Sequence, residues 1–134
     1  SEKDSETEVF LDERILLSPS FAISECNHHA YSMADMTEDI LAESIKLLEN
    51  YDESKAEYIF TTETKIDNYE DQLGTFLVKL SGKALTESDN NQVSKLLHTI
   101  GDFERISDHA ITITYVAKEM QEKNMRFQKM LWLN

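Results

Sequence analysis

From Ile23 onward, apolar and small residues fall at Ile23, Cys26, Ala30, Met33, Thr37, Ile40, Ser44, Leu47 and Tyr51, alternately three and four residues apart. An α-helix returns to one face at that spacing, so the pattern predicts a long helix with a continuous seam. Ser18 or Ser20, beside Pro19, supplies its start, and the polar cluster Asn50 to Ser54 supplies its end. The same spacing resumes through Ile59, Thr62, Ile66, Tyr69, Leu73, Phe76 and Leu80 and stops at Ser81-Gly82, where glycine can take the left-handed conformation that closes many helices. Tyr58 to Thr62 alone would pass for a strand, but it is in register with the helical spacing that follows and has no second strand pattern to pair with. A third helix is predicted after the acid-rich capping cluster Thr86-Glu87-Ser88-Asp89. Its apolar face holds Val93, Leu97, Ile100, Ile111 and Val116, and its end falls near Lys123.

Three helices of roughly thirty residues are each about 45 Å long. Short connections make sequential neighbours antiparallel, so the expected fold is all-α, an up-down-up three-helix bundle. Ile40, Leu47, Ile66, Leu73, Phe76, Leu97, Ile100 and Ile111 are its expected core, with Cys26 packed among them. Gly74 and Gly101 each cost up to about 1 kcal/mol inside a helix, so both are expected where helices approach closely. Residues 1–18 read as an acidic linker or docking arm, and residues 19–134 as the bundle with a C-terminal extension. The extension from Lys118 is mixed and basic and carries Met120, Met125, Phe127, Met130, Leu131 and Trp132. It either continues the third helix or docks on a neighbour, and cover for these residues implies a homo-oligomer.

Composition narrows the function classes. Hydrophobic residues make up 40% of the chain, with only three glycines and one proline, which excludes both low-complexity disorder and turn-rich sandwiches. A formal charge of -13 repels phosphate backbones and anionic headgroups, so nucleic acid is excluded as a partner. One cysteine cannot form an internal disulfide, and no apolar run approaches the roughly 20 residues that cross a bilayer. A soluble, cytoplasmic domain is expected, without membrane insertion of this segment.

The polar residues on the predicted helices carry the chemistry. Glu63 and Asp67 stand four residues apart on one face of the second helix, and Glu70 extends their stripe. Glu104 and Asp108 repeat the spacing on the third, on the face of Leu97, Ile100 and Ile111. Carboxylates beside a core need compensation by Arg105, by a lysine from a neighbour, or by a metal. Two such pairs on adjacent helices offer four oxygen ligands to a hard cation, although acids at this spacing are also common on solvated helix faces. His98, Asp102, Arg105 and His109 form a further stripe that reads as a salt-bridged surface. Glu25 and His28 form an E-x-x-H, but di-iron carboxylate bundles need that unit twice and no second copy exists. His28 and His29 read as solvent-facing or first-turn residues. Neither a catalytic nucleophile nor a glycine-rich phosphate loop is present.

Asp102-Phe103-Glu104-Arg105-Ile106-Ser107-Asp108-His109-Ala110 resembles the signature D-x-E-R-I-x-D-H-A of PhoU-like domains, and Glu63, Ile66, Asp67 and Glu70 match the E-x-x-I-D-x-x-E of their preceding helix. The resemblance spans about Phe21 to Met120. Leu11 to Leu16, Ser18-Pro19 and Ala22-Ile23 further resemble the segment joining the membrane part of bacterial sodium/phosphate cotransporter-type proteins to their C-terminal PhoU-like domain, an origin that accounts for a start without Met. The resemblance implies a non-enzymatic regulatory bundle that responds to phosphate status, on the cytoplasmic face of the bacterial inner membrane, with the transmembrane part of its own transporter as partner. It implies iron or zinc, or another divalent cation, held by Glu63, Asp67, Glu104 and Asp108, with Glu70 and Asp102 as second choices. Two departures stand out: Ser107 replaces the usual glycine, and one bundle stands where stand-alone PhoU proteins have two in tandem. The competing readings are a carboxylate-bundle metalloenzyme and a metal-free helical interaction module.

Overall fold

The computed structural model describes residues 11–133; the acidic stretch at 1–10 lies outside it. A 3-10 turn at Glu13–Leu17 leads into α1 (Pro19–Glu49), followed by α2 (Glu53–Ser81) and α3 (Glu87–Leu133). All three helices pack on one another, the parallel pair α1 and α3 sharing the longest contact. This is the expected all-α, up-down-up bundle. Tyr58 to Thr62, the strand-like stretch, is helical.

Local signals fix the helix ends. Pro19 occupies the first turn of α1, where its missing N–H has no partner to lose, and Ser18 precedes it without a side-chain cap bond. The connection to α2 is only Asn50 to Asp52, and the Asp52 carboxylate accepts from the backbone N–H groups of Ser54 at 2.9 Å and Lys55 at 3.4 Å. That cap starts α2 at Glu53, several residues before the first seam residue of the sequence pattern. Thr86 caps α3 as expected, its hydroxyl accepting from the Asp89 N–H at 3.1 Å. Gly82 departs from expectation. Its φ is -77°, in the right-handed region, and α2 closes through tightened bonds from Gly82 N–H to Lys79 C=O and from Lys83 N–H to Leu80 C=O.

Along α1 the buried residues are those of the predicted seam with Ala22 added, while Tyr51 lies past the helix end and is half-buried; along α2 they are the same except that Tyr69 is only half-buried and Ala56 and Leu77 join. Along α3 the seam differs. Val93, Leu96, Ile100, Ser107, Ala110, Thr114 and Ala117 are buried; Leu97 and Ile111 are only half-buried and Val116 is exposed. From Ser107 onward the buried positions of α3 are all small residues. Ser107 is fully buried, with its hydroxyl donating to the Glu104 carbonyl at 2.7 Å. Gly74 meets α3 only at ordinary distance, since a Cβ there would lie 3.9 Å from Ile100 Cδ1, and Gly101 has only Arg105 of its own helix beside it. Neither glycine marks the close approach predicted for it.

Residues Leu11, Ile15 and Leu16 pack against the core, and Glu13 forms an ion pair with Lys79 at 2.6 Å. The end of the arm is therefore laid on the bundle. At the other end α3 continues without a break past Lys123, and every described side chain from Lys118 to Trp132 is exposed. Of the two outcomes for the extension, helix continuation is the one observed. Among the described residues no helix is long and apolar enough to cross a membrane.

Candidate functional site

The seam between α2 and α3 carries the acids. Glu63, Asp67 and Glu70 recur at four and three residues on α2, which puts them on one face; Glu104 and Asp108 do the same on α3. One carboxylate oxygen from each of Asp67, Glu70 and Glu104 lies within 4.8 Å of the others. All three residues are half-buried, as is Glu63, while Asp108 is exposed at the rim.

Burial, first of all, pushes Glu63 up to about 7, helped by its hydrogen bond with Asp67 and by the charges of Asp67, Asp108 and Glu104. Glu104 is pushed up to about 7 for matching reasons: burial, a hydrogen bond with Asp108, and repulsion from Asp108, Glu70 and Asp67. Glu70 is also raised, by burial and then by Asp67, Asp71 and Asp108, with Arg105 acting weakly the other way. The charged groups acting most strongly on Glu63 and Glu104 are all acids. Each helix thus contributes a proton-sharing pair, and the two pairs face each other.

Of the six candidate ligands, Asp67, Glu70 and Glu104 come together, and Glu63 and Asp108 flank them as the neighbours of Asp67 and Glu104. Asp102 does not join them: it pairs with Arg105 and stands 3.9 Å from His98 Nε2 on a different face of α3. Arg105 is paired with Asp102 and reaches the cluster only as a weak charge on Glu70. The stripe His98, Asp102, Arg105 and His109 is the salt-bridged surface its spacing predicts. Glu70, a second choice by sequence, belongs to the tightest trio, and the signal for it was already present in its three-residue step from Asp67. Beyond Glu70 the seam opens into a shallow groove lined by Gly74, Thr75, Leu97 and Ile100.

His29 was misplaced by sequence. It is half-buried, edge-on to the Tyr69 ring at 6.2 Å, and burial followed by the charge of His28 holds its pKa below the ordinary imidazole value. Cys26 is buried, and its thiol is pushed up to about 12 by desolvation, which makes it an inert core residue.

Asp67, Glu70 and Glu104 offer three oxygen donors and no soft ligand, a set that fits hard cations such as ferric iron and also admits zinc. No curated protein and no solved structure gives a significant match to the chain. A family model described as PhoU domain matches residues 30–117, a span that takes in most of α1, all of α2 and both acidic motifs. With that match covering well over half of an all-helical bundle, the chain belongs to the PhoU domain family.

Proposed function

We propose that this chain is the regulatory domain of a sodium-dependent phosphate transporter, working at the cytoplasmic face of the bacterial inner membrane. In this reading it holds iron, zinc or another divalent cation through Glu63, Asp67, Glu70, Glu104 and Asp108, and it carries out no catalysis of its own. Membership of the PhoU family supports the phosphate-related regulatory role. The observation that carries the cation reading is the facing of two acidic pairs whose strongest charged neighbours are all acids. That arrangement is costly without a cation and stabilised with one.

Within the bundle, Glu63 and Asp67 would hold the cation from α2, and Glu104 and Asp108 from α3, with Glu70 at the edge of the open groove. A bound cation would supply positive charge able to attract phosphate oxygens. Arg105, paired with Asp102, adds only a weak positive charge at Glu70. Because the ligands come from two helices, occupancy ties α2 to α3, and a change in that tie is a signal the membrane part can read.

The test is thermal melting of chelator-treated protein with added ferric iron or zinc, alongside elemental analysis of protein purified without chelator. Binding to the native state raises the melting temperature as RT ln(1 + [L]/Kd). Asp67→Asn with Asp108→Asn should abolish that rise and leave the metal-free bundle at least as stable. Loss of metal-free stability in this variant would instead make the acids structural. Phosphate uptake by the transporter with and without this domain tests the regulatory half, and identical uptake at high and low phosphate would overturn it.

A further inference from the structure

Two glycines lie inside helices, and the packing of the bundle requires neither. A Cβ at Gly74 would come no nearer than 3.9 Å to Ile100 Cδ1, an ordinary contact, and one at Gly101 would meet only the Arg105 side chain, also at 3.9 Å. Alanine would fit at either position and would favour the helix. Their placement follows a pattern. Along α2, Asp67, Glu70, Gly74 and Val78 step by three, four and four residues; along α3, read backward, Asp108, Glu104, Gly101 and Leu97 step by four, three and four. Because α2 and α3 run antiparallel, both helices present two acids, a glycine and an apolar residue in the same direction along one seam. A concavity of about 620 Å³ opens beyond the acidic trio, lined by Gly74, Val78, Leu97 and Ile100, with Glu70 and Asp71 on its wall. Val78 is 60% exposed there.

Charge and shape together select the occupant. Among the described residues, Asp67, Glu70, Asp71 and Glu104 have no lysine or arginine in ion-pair contact. Lys79, the basic side chain lining the groove, is held by Glu13 at 2.6 Å, and Arg105 is held by Asp102. An anionic ligand or bilayer would be repelled by the acids and by a chain of formal charge -13. A wholly apolar segment would desolvate the acids with nothing to compensate them. A helix that carries an apolar stripe and, one or two turns along it, a lysine or arginine meets both demands. Its apolar side chains fit Val78 and Leu97, and the bare glycines let its backbone come close.

We propose that the groove between α2 and α3 docks a basic amphipathic helix of a partner protein, with Gly74 and Gly101 as its floor and Asp67, Glu70 and Glu104 as acceptors for its lysine or arginine. One set of carboxylates then has two alternative occupants, an inorganic cation or a basic side chain, and each weakens the other's binding by the same factor. This competition rests on the cation reading above, whereas the docking rests on the groove.

The probe is a labelled helical peptide of leucine and lysine, with its leucine and glutamate counterpart as control, and anisotropy with the chelator-treated full chain measures binding. The lysine peptide should bind and the glutamate peptide should not. Gly74→Leu with Gly101→Leu, which fills the floor with good helix formers, should weaken binding about tenfold or more while keeping the helicity and the melting rise on adding zinc. Gly74→Ala with Gly101→Ala should melt higher than the native chain and weaken the peptide less. Glu119→Gln with Glu122→Gln, remote acids on α3, should change nothing. Zinc at the level that saturates the melting rise should also weaken the peptide about tenfold. Binding indifferent to the glycine changes, or competed as well by spermidine as by unlabelled peptide, would overturn the docking. A zinc-induced melting rise without any loss of peptide affinity would overturn the competition, and a zinc-insensitive melting temperature beside glycine-dependent peptide binding would sink the cation reading and leave the docking established.

Discussion

At the scale of single residues, the acids of the α2/α3 seam dominate the response to pH. Glu63 and Glu104 titrate near 7 in the folded chain and near the ordinary 4.5 when unfolded. Between those values the folded state holds protons that the unfolded state has released, so the stability these groups contribute is full below about 4.5 and is lost as pH rises through 7. His29 works the opposite way: its depressed value makes its contribution present above 6.5 and lost as pH falls. The lowered acids Asp12, Glu13, Asp52 and Glu119 act only below their ordinary values, outside this window. Comparison with Glu63→Gln plus Glu104→Gln isolates the seam. In metal-free buffer the variant should gain stability relative to the native chain between pH 5 and 7.5, measured as a shift in denaturation midpoint, and a constant difference would disprove the coupling. The membership of this cluster was largely legible from spacing, since acids at three and four residues on a helix must share a face. Asp102 was offered as a ligand by the motif resemblance and not by spacing, since a residue two before Glu104 falls on another face of the helix.

At the scale of elements, the sequence pattern identified three helices but read α3 differently from α1 and α2. Hydrophobic periodicity finds large residues, and the buried face of α3 beyond Ile100 is built from Ser107, Ala110, Thr114 and Ala117. A helix wedged between two neighbours also buries a wide arc, in which Leu96 and Leu97 compete and the position nearer α1 wins. Truncation separates the two. Leu73→Ala and Ile100→Ala, at fully or almost fully buried sites, should each cost about 2 to 5 kcal/mol in chemical denaturation. Leu97→Ala, half-buried at the groove, should cost clearly less, and equal costs would restore the stripe read from sequence. The start of α2 depends on one side chain. Asp52→Ala removes the acceptor for two backbone N–H groups and should cost about 1 kcal/mol, while Asp52→Asn or Asp52→Ser should recover most of it. Helix ends that rest on such caps were readable where a proline or an acidic cluster marked them, at Pro19 and Thr86. The three-residue link before α2 was not, because its cap lies inside a polar run with no hydrophobic boundary.

At the scale of the whole molecule, α3 has two regimes. Glu87 to Ala117 is held by α1 and α2, whereas the sixteen residues from Lys118 to Leu133 extend about 24 Å with no other helix of the chain against them. Glu122 still lies near enough to help raise Tyr51, in the α1/α2 connection, which places the end of the bundle at about that level. Isolated helices of this length are marginal in water, so the extension owes its order to propagation from a nucleated helix below it and to whatever covers its apolar stripe. Hydrogen exchange therefore distinguishes the regimes. In dilute monomer, or in the Met120→Glu plus Phe127→Glu variant, amides of α3 up to about Ala117 should exchange only through global unfolding, and those beyond Glu122 should lose protection progressively toward Leu133. Uniform protection to Leu133 in the monomer would mean that propagation alone holds the helix.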